Sequence, residues 1–557
     1  MDRFMPVIRI VSLGALLACG VPACAPHTPS GGLTEMVDPA GAAAHPRLLL
    51  VTSLADDGSA GTLRAAILQN NQHPGQYRIR IAPQGPGPHV IRPVTPLPAI
   101  RGPVVIEGGS TSAALAPEED ALLRDVRGLD APHPGVIIDG SRLLKTVSAA
   151  SCPGEEAGNG PNVRSLQKAG LAIVDTHGVE IAGLEIRNFC IGILILRSSD
   201  NEIRDNRFVH QVGASGVLVS GDDGHGGATT GLATHNRLLH NSFIDNGDGF
   251  EFVRGADHGI ARDNTVVATA RTEMPSQGAE IFGSDDIELR NNRFSGYSDG
   301  IQAGGNRHRL LDNILTDNTN GITTSGTGTT IAGNLITANR LGVAPSGAMN
   351  VVTISRNAIY DNGRDILRCH AGGAGTLPGS TTCRTDYPKL GIDLGADGPT
   401  HNDGAANCAD GLPDCDDGVN GLQNFPVLDA ASSWSDGTVT IHGLLETRPD
   451  RAYVVEIYAS RAAGYAGYGE GEVYLGSVEV RTDAAGKAFI HARFTGVVDP
   501  FGDGRRQAFF TATATDIASG ASSEFSAALL LKASNKATDQ AARQMRHMRD
   551  MRGILAQ

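Results

Sequence analysis

The stretch LRNNRFSGYSDGIQAGGNRHRLLDNIL, residues 289–315, contains one full unit of a repeat that runs through the middle of the chain. Each unit opens on an apolar residue, a short polar step, an asparagine and another apolar residue. A repeat of about 22 residues with two insertions is expected. The asparagines at this position, separated by 35, 23, 28, 21, 21 and 23 residues, are Asn206, Asn241, Asn264, Asn292, Asn313, Asn334 and Asn357.

Each unit also contains a glycine that leads a strand of alternating residues. Short strands and tight turns that coil in this way predict an all-β fold, the parallel β-helix, with apolar residues stacked inside. The repeated asparagines should stack in one turn and bond to each other and to the backbone, which is a structural role. Leucine-rich repeats and propellers do not fit, because the leucine consensus is missing and the period is too short. The glycine-led strands are GILIL at 192, GVLVS at 216, GFEFV at 249, GAEIF at 278, GIQAG at 300, GITTS at 321 and GVAPS at 342.

With these repeats the chain resembles the exported bacterial right-handed parallel β-helix proteins, an architecture shared by pectate-lyase-like enzymes. The stretch VTSLADDGSAGTLRAAILQNN, residues 51–71, is similar to the N-terminal region called CSLREA, although the leading Cys and the Glu of that name are absent. Residues 62–70 are expected to form a short amphipathic helix that caps the open coil. The resemblance implies the architecture over about residues 48–530. Its members include polysaccharide lyases, hydrolases and epimerases, and also adhesins without known activity.

Composition divides the chain into successive regions. Beyond the coil, strands such as TVTIHGLL and AYVVEIYAS alternate apolar and polar residues, which is typical of a small antiparallel sandwich of immunoglobulin-like type. The end of the chain is basic and is expected to be a solvated tail. The predicted regions are an export signal over 1–25, a CSLREA-like cap with the first coils over 48–100, the β-helix over 101–385, an Asp/Gly-rich linker over 386–426, the sandwich over 427–532 and the tail over 533–557.

The net charge of the chain limits the kinds of partner it can bind, and its N-terminal residues indicate where the protein is located. A formal net charge of −14 argues against nucleic acid, whose protein partners cluster Lys and Arg. The apolar run after Arg9 is too short to cross a bilayer and indicates an export signal. Its Leu-Leu-Ala-Cys ending resembles a bacterial lipoprotein cleavage box, which would make Cys19 the lipidated residue and the only link to a membrane. Ordinary secretion with cleavage near Ala25 is the alternative.

Export places the remaining cysteines in an oxidising compartment, where they are expected to form disulfides. A zinc site is the alternative, but no pair has the two-residue spacing matched by a second such pair. The expected pairs are Cys369 with Cys383, Cys408 with Cys415, and Cys152 with Cys190.

The linker is rich in Asp, Asn and Gly, which suggests either a calcium site or a disulfide-pinned loop. Ca²⁺ takes 6–8 oxygen ligands, although the spacing here does not match an EF-hand and these residues also favour turns. The candidate calcium ligands are Asp393, Asp397, Asp403, Asp414 and Asp416.

Aligning the glycine-led strands predicts which side chains share a surface. Because side chains alternate along a strand, the second residue after each glycine should point outward. Coils lie about 4.8 Å apart, so Glu251 and Glu280 should be neighbours, and the pKa of one of them should be raised. The outward column is Leu194, Leu218, Glu251, Glu280, Gln302, Thr323 and Ala344, and the position before each glycine is Ile191, Ser215, Asp248, Gln277, Asp299, Asn320 and Leu341.

Paired carboxylates suit hydrolysis of glycosidic bonds, in which one protonates the leaving oxygen and the other is nucleophile or base. We therefore expect catalysis by Glu251, Glu280, Asp248 and Asp299 on a polysaccharide or cell-surface glycan, by a hydrolase, lyase or epimerase. Alternatively the column binds Ca²⁺ to neutralise a uronate, and Arg254 or His258 is the base of a lyase.

The two insertions should emerge beside these coils and wall a groove. They contain Asp222, Asp223 and His225 in one, and Arg271 and Glu273 in the other. The expected substrate contacts are Arg254, Gln277, Gln302, His225, His258, Asp222 and Asp223. In the competing interpretation the acidic residues only keep the solenoid soluble, and the protein is a non-catalytic surface or adhesion protein with a β-helix stalk.

Overall fold

A computed structural model describes most of the chain from residue 46 to residue 532. Several predicted features lie outside the described residues, namely the export signal with Cys19, the loop residues His225, Arg271 and Glu273, the pair Cys369 and Cys383, and the tail. The described residues are 46–109, 134–144, 152, 165–211, 215–224, 229–269, 275–366, 370–371, 381–382, 389–433, 437–465, 467–497, 500–501 and 507–532.

Three parallel sheets form the walls of a coil, so the predicted right-handed parallel β-helix is confirmed. Successive strands of one sheet come from successive turns of the chain. The first sheet contains β1 (Arg47–Val51), β2 (Tyr77–Ile81), β4 (Val104–Gly108), β7 (Val179–Ala182), β10 (Glu202–Arg204), β13 (Arg237–Leu239), β16 (Ile260–Arg262), β19 (Glu288–Arg290), β22 (Arg309–Leu311), β25 (Thr329–Ala332) and β28 (Val352–Ser355). The second contains β3 (His89–Ile91), β5 (Val136–Asp139), β8 (Glu185–Arg187), β11 (Arg207–Val209), β14 (Ser242–Ile244), β17 (Thr265–Val267), β20 (Arg293–Ser295), β23 (Ile314–Thr316), β26 (Leu335–Thr337) and β29 (Ala358–Tyr360). The third contains β6 (Ala169–Val174), β9 (Ile191–Leu196), β12 (Ser215–Ser220), β15 (Asp248–Val253), β18 (Gln277–Phe282), β21 (Asp299–Gly304), β24 (Asn320–Ser325) and β27 (Leu341–Pro345).

The repeated asparagines form the expected internal ladder. Asn264 shows the arrangement: its Oδ1 accepts a hydrogen bond from the backbone N–H of Asn241 at 2.9 Å, and its own N–H donates to Asn292 Oδ1 at 3.0 Å. Its side-chain amide also donates to the carbonyl of Leu238 at 2.9 Å. All seven asparagines are buried, so each one pairs backbone groups that a turn would otherwise leave unsatisfied.

A single α-helix, α1 (Leu63–Gln72), lies near the start of the described chain. Thr62 caps it by accepting a hydrogen bond from the N–H of Ala65. Leu63 and Ile67 are buried in the same core as the coils, in agreement with the predicted capping helix. The similarity to CSLREA stays a prediction. Four short 3₁₀ segments are Gly140–Arg142, Leu166–Lys168, Ala405–Asn407 and Val419–Leu422. Within the described ranges, no helix is long and apolar enough to cross a membrane.

Two antiparallel sheets follow the coil and share one apolar core, which confirms the predicted sandwich. One sheet has the order β32 (Val427–Ser433), β33 (Val439–Glu446), β36 (Lys487–Phe494). The other has the order β35 (Val473–Arg481), β34 (Ala452–Ser460), β37 (Gln507–Asp516), β38 (Leu529–Lys532). A two-stranded pair, β30 (His370–Ala371) and β31 (Thr381–Thr382), lies between the coil and the linker in sequence.

Buried carboxylates of the sandwich join it to the last coils. Glu456 accepts hydrogen bonds from the hydroxyl of Ser355 at 2.7 Å and the N–H of Arg356 at 2.9 Å. Glu470 accepts from the N–H and the side-chain amide of Asn362, at 3.1 and 2.8 Å. Glu470 thus stands where the next coil would supply an asparagine.

Two of the expected disulfides are present. Cys152 bonds to Cys190 with a Cα–Cα separation of 5.4 Å, and Cys408 bonds to Cys415 with a separation of 5.8 Å. The first connects a segment before the third sheet to the turn before β9, and the second closes a loop of the linker.

Candidate functional site

The third sheet presents the predicted column of outward side chains. Glu251 pairs in register with Glu280, and Glu280 with Gln302, as the alignment of repeats predicted. The column continues through Thr323 on β24. Phe250 and Phe252, which flank Glu251, are fully buried in the core. Polar side chains on four successive coils therefore share one face of the β-helix.

The glycines that lead the strands of the third sheet form a column, which includes Gly249 beside Asp248 and allows neighbouring coils to approach closely. A Cβ on Gly249 would lie 2.2 Å from the carbonyl oxygen of Gly278, closer than real Cβ atoms come to any backbone atom. Only glycine allows the coils to approach at this point. Asp248 precedes that glycine and Glu251 follows it by two residues, yet carboxylate oxygens of Asp248, Glu251 and Glu280 lie within 4.8 Å of one another. We call these three residues the acidic triad.

Hydrogen bonds hold the triad in a largely enclosed setting. The hydroxyl of Ser215 donates to Glu251 Oε1 at 2.6 Å, and the N–H of Gln277 donates to Asp248 Oδ1 at 2.8 Å. Glu251 is 5% exposed, whereas Asp248 and Glu280 are partly exposed. A ligand on the sheet can therefore contact Asp248 and Glu280, with Glu251 beneath them.

The environment of Asp248 favours its protonated form. Burial, and then the negative charge of Glu251, raise the pKa of Asp248 to about 8. The hydrogen bonds from Gln277 and Ser276 lower it only in part. With this pKa the carboxyl group of Asp248 is protonated at neutral pH beside the charge of Glu251, the combination that general acid catalysis needs.

Phe282 lies on the same face of the β-helix as the acidic triad and is not among the candidate site residues predicted from the sequence. It stands two residues beyond Glu280 on β18 and is 56% exposed. The next two coils have the small residues Gly304 and Ser325 at the corresponding position, so the ring of Phe282 projects beyond its neighbours on that side. Alternation along GAEIF would have placed Phe282 outward, because it shares the parity of Glu280. An exposed aromatic ring beside the triad offers a stacking surface.

The coils below the triad continue the polar face. The side-chain amide of Gln277 donates to Gln302 Oε1 at 2.8 Å. Asp299 is 2% exposed and accepts from the side-chain amide of Asn320 at 2.8 Å, and its catalytic role stays a prediction. Thr323 Oγ1 has no hydrogen-bond partner within the described ranges.

Two predicted basic residues follow β15 and differ in setting. Arg254 comes directly after the strand, is partly buried, and donates its N–H to the carbonyl of Phe282 at 2.7 Å. His258 lies in the turn before β16, where its ring stacks on that of His235 at 5.0 Å and its Nδ1 is 3.8 Å from Asp286. Asp248 is the first residue of β15, whereas His258 follows the last one, so the two residues lie toward opposite ends of this strand.

The loop after β12 places its two aspartates differently from the expectation. Asp222 has no exposed surface, and its Oδ1 accepts the N–H of Gly224 at 2.7 Å. Asp222 therefore stabilises a turn and does not line a groove. Asp223 is exposed beyond the strand and acts on Arg197 through its charge.

The linker aspartates are used within the linker and its contacts. Asp393 accepts backbone N–H groups of Asp397 and Gly398, and burial raises its pKa to about 6. Asp403 accepts the N–H of Cys415, and Asp414 accepts from Gln423. Among the described residues, no three aspartates of this segment, Asp416 included, have carboxylate oxygens within 4.8 Å of one another. The structure therefore does not gather the predicted calcium ligands.

Comparisons with known proteins give a family match over part of the chain, a relative of similar extent and distant similarities to solved structures. Residues 215–377 match the family described as periplasmic copper-binding protein (NosD). The 3-dehydroshikimate dehydratase of Acinetobacter baylyi is 32% identical over 451 residues, which cover 78% of this chain and 86% of that protein. Alginate lyase from Paenibacillus sp. str. FPU-7 has a TM-score of 0.36 at 12% identity and covers 56% of this chain and 94% of its own. The catalytic unit of an α-1,3-glucanase from Streptomyces thermodiastaticus strain HF3-3 has a TM-score of 0.36 at 15% identity, with coverages of 60% and 67%.

The first of these descriptions names a periplasmic family. It also names copper, which prefers thiolate, thioether and imidazole ligands. The acidic triad offers carboxylate oxygens alone and suits hard cations such as Ca²⁺ or Mg²⁺. Within the described part of residues 215–377, no cluster fits copper.

Proposed function

Since the chain belongs to the family of the 3-dehydroshikimate dehydratase of Acinetobacter baylyi, we propose that it is an exported dehydratase acting on a cyclic hydroxy-keto acid of that class. Loss of water from 3-dehydroshikimate needs two proton transfers. A base removes the hydrogen on the carbon next to the ketone, the electron pair forms a C=C bond, and the hydroxyl on the following carbon leaves as water after accepting a proton. The remaining ketone then enolises, with transfer of a ring-methylene hydrogen to its oxygen, and the ring becomes aromatic.

Asp248 is the acid in this proposal, and its place in the acidic triad, where burial and Glu251 raise its pKa, is what supports the assignment. A carboxyl group with a pKa of about 8 is protonated at neutral pH and can protonate the departing hydroxyl. Its partial exposure supports contact with a ligand. Glu251 has a carboxylate oxygen within 4.8 Å of Asp248 and is a positioning residue, because its charge adds to the burial that raises the pKa of Asp248.

Glu280 is the base. Its side chain is partly exposed on the same face and lies within 4.8 Å of Asp248. Phe282, two residues further along β18, provides a flat apolar surface for the six-membered ring. Arg254, whose backbone N–H donates to the carbonyl of Phe282, is the cation that we assign to the substrate carboxylate.

The test is a rate measurement with 3-dehydroshikimate, followed by ultraviolet absorbance of the aromatic dihydroxybenzoate that loss of water yields. Asp248→Asn and Glu280→Gln should each lower kcat by about 10²–10⁴-fold, the usual contribution of general acid–base catalysis. Glu479→Gln, an exposed sandwich carboxylate, is the control and should leave kcat unchanged. An inactive wild-type protein, or full activity in Asp248→Asn, would overturn the proposal.

A polysaccharide is the second candidate substrate, favoured by the length of the polar face. Four coils from Glu251 to Thr323 span about 14 Å at 4.8 Å per coil, enough for more than one sugar ring. The same variants are incubated with a polysaccharide panel. New reducing ends or an unsaturated uronate, without any reaction of 3-dehydroshikimate, would favour this candidate.

A bound cation would change the chemistry of the triad. Ca²⁺ on the three carboxylates would lower the pKa of Asp248 and remove its proton, so acid catalysis by Asp248 predicts activity without a metal. EDTA should therefore leave the rate unchanged. Loss of activity in EDTA with recovery in Ca²⁺ would instead assign the triad to cation binding.

Lipidation of Cys19 is proposed as the means of retaining the exported protein. The Leu-Leu-Ala-Cys ending supports it. When cells are grown with radiolabelled fatty acid, the wild-type protein should carry the label and the Cys19→Ala protein should not. Equal labelling of both proteins would place the lipid on another residue, and no labelling of either would favour plain secretion.

A further inference from the structure

A pair of histidines lies on the outer face of the three-stranded sheet of the sandwich. His442 on β33 and His491 on β36 are directly opposite each other in the antiparallel register. Their Nδ1 atoms are 3.3 Å apart and their ring centroids 4.6 Å apart. His491 is exposed and His442 is partly exposed.

The separation of these two nitrogens is the one that a tetrahedral metal ion imposes. With Zn–N bonds of about 2.0–2.1 Å, two ligands of a tetrahedral site lie about 3.3–3.4 Å apart. The adjacent cis ligands of a square-planar ion at the same bond length would lie about 2.8–3.0 Å apart. The distance between the two Nδ1 atoms therefore matches that between two ligands of a tetrahedral ion.

The surroundings leave room for the ion. Ala430, opposite His442 on β32, carries only a methyl group and is exposed. Among the described residues, no further His, Cys, Asp or Glu brings a ligand atom within 4.8 Å of both nitrogens. Water or a second molecule would complete the coordination.

We propose that His442 and His491 form a binding site for a tetrahedral divalent metal ion of the zinc class. The site lies on the sandwich and is independent of the dehydratase proposed for the β-helix. The competing explanation is a simple hydrogen bond between two neutral imidazoles, in which one Nδ1 donates and the other accepts.

The experiment measures Zn²⁺ bound to the untagged full-length protein by equilibrium dialysis. His442→Ala and His491→Ala should each bind one Zn²⁺ fewer per chain than the wild type, and the double variant no fewer than either single one. His258→Ala is the matched control, because His258 belongs to a stacked pair with His235, and its stoichiometry should not change. Circular dichroism confirms that each variant is folded.

Two further readouts identify the ligands. Co²⁺ in place of Zn²⁺ should give the visible absorption of a tetrahedral ion in the wild type and not in His491→Ala. Binding should weaken by at least about tenfold between pH 7.5 and pH 5.5, because both imidazoles must be neutral to bind metal. Unchanged stoichiometry in both single variants would overturn the site and leave the hydrogen bond as the explanation.

Discussion

The charges of Asp248 and Glu251 depend on each other, and the dependence predicts a pH profile. Acid catalysis requires protonated Asp248, so kcat should fall as pH rises through about 8, the pKa of that carboxyl group. Glu251→Gln removes the negative charge that helps to raise this pKa. The alkaline limb of the profile should then move to lower pH.

The profile distinguishes a positioning role for Glu251 from a purely structural one. A structural defect would lower kcat at every pH without moving the limb. Ser215→Ala is a useful companion, because it removes the hydroxyl that bonds Glu251 and leaves all three carboxylates. An alkaline limb at the same pH in wild type and Glu251→Gln would contradict the assignment.

At this scale the sequence predicts a residue well where the repeat determines its position. Glu251 and Glu280 follow from counting residues after a glycine, and their register agrees. Asp222 lies in an insertion, where no repeat sets the direction of the side chain, and it turned out to be buried. The pKa of Asp248 is raised, which the sequence alone could not predict, because burial is the largest cause.

Among the structural elements, the glycine column of the third sheet determines whether the site can form. Gly249→Ala would place a methyl group 2.2 Å from the carbonyl oxygen of Gly278, so one coil must move. We expect a loss of about 1–3 kcal/mol in the free energy of unfolding, the usual cost of overpacking. Activity should fall as well, because Asp248 and Glu251 flank this residue.

The control for this variant is Gly404→Ala, where an added Cβ meets nothing within 4 Å. Denaturant unfolding compares the two proteins with the wild type. Equal stability of Gly249→Ala and Gly404→Ala would refute the close approach of the coils. The sequence revealed the glycines through their period, but the clash that makes them necessary requires the distance between neighbouring strands.

For the whole molecule, the coil and the sandwich are joined through carboxylates that the sequence could not pair. Glu470 extends a ladder of asparagines from more than 100 residues away, and no repeat connects it to Asn362. Glu524 similarly accepts the N–H groups of Leu394 and Thr400, at 2.9 and 3.0 Å. Contacts between regions of different pattern are not encoded in the period of either region.

These junction carboxylates predict that stability decreases with rising pH. Burial raises the pKa of Glu470 to about 7 and that of Glu524 to about 8, above the value of 4.5 for an ordinary Glu. The folded state therefore binds these protons more tightly than the unfolded state does. The stabilisation is complete below about pH 4.5 and is lost as pH rises to 7–8, at about 1.4 kcal/mol per unit of pKa shift. Thermal unfolding from pH 5 to pH 8.5 should show a falling Tm, and the fall should be smaller in a Glu470→Gln/Glu524→Gln double variant. A Tm that rises over this range would mean that both groups are already ionised in the folded protein.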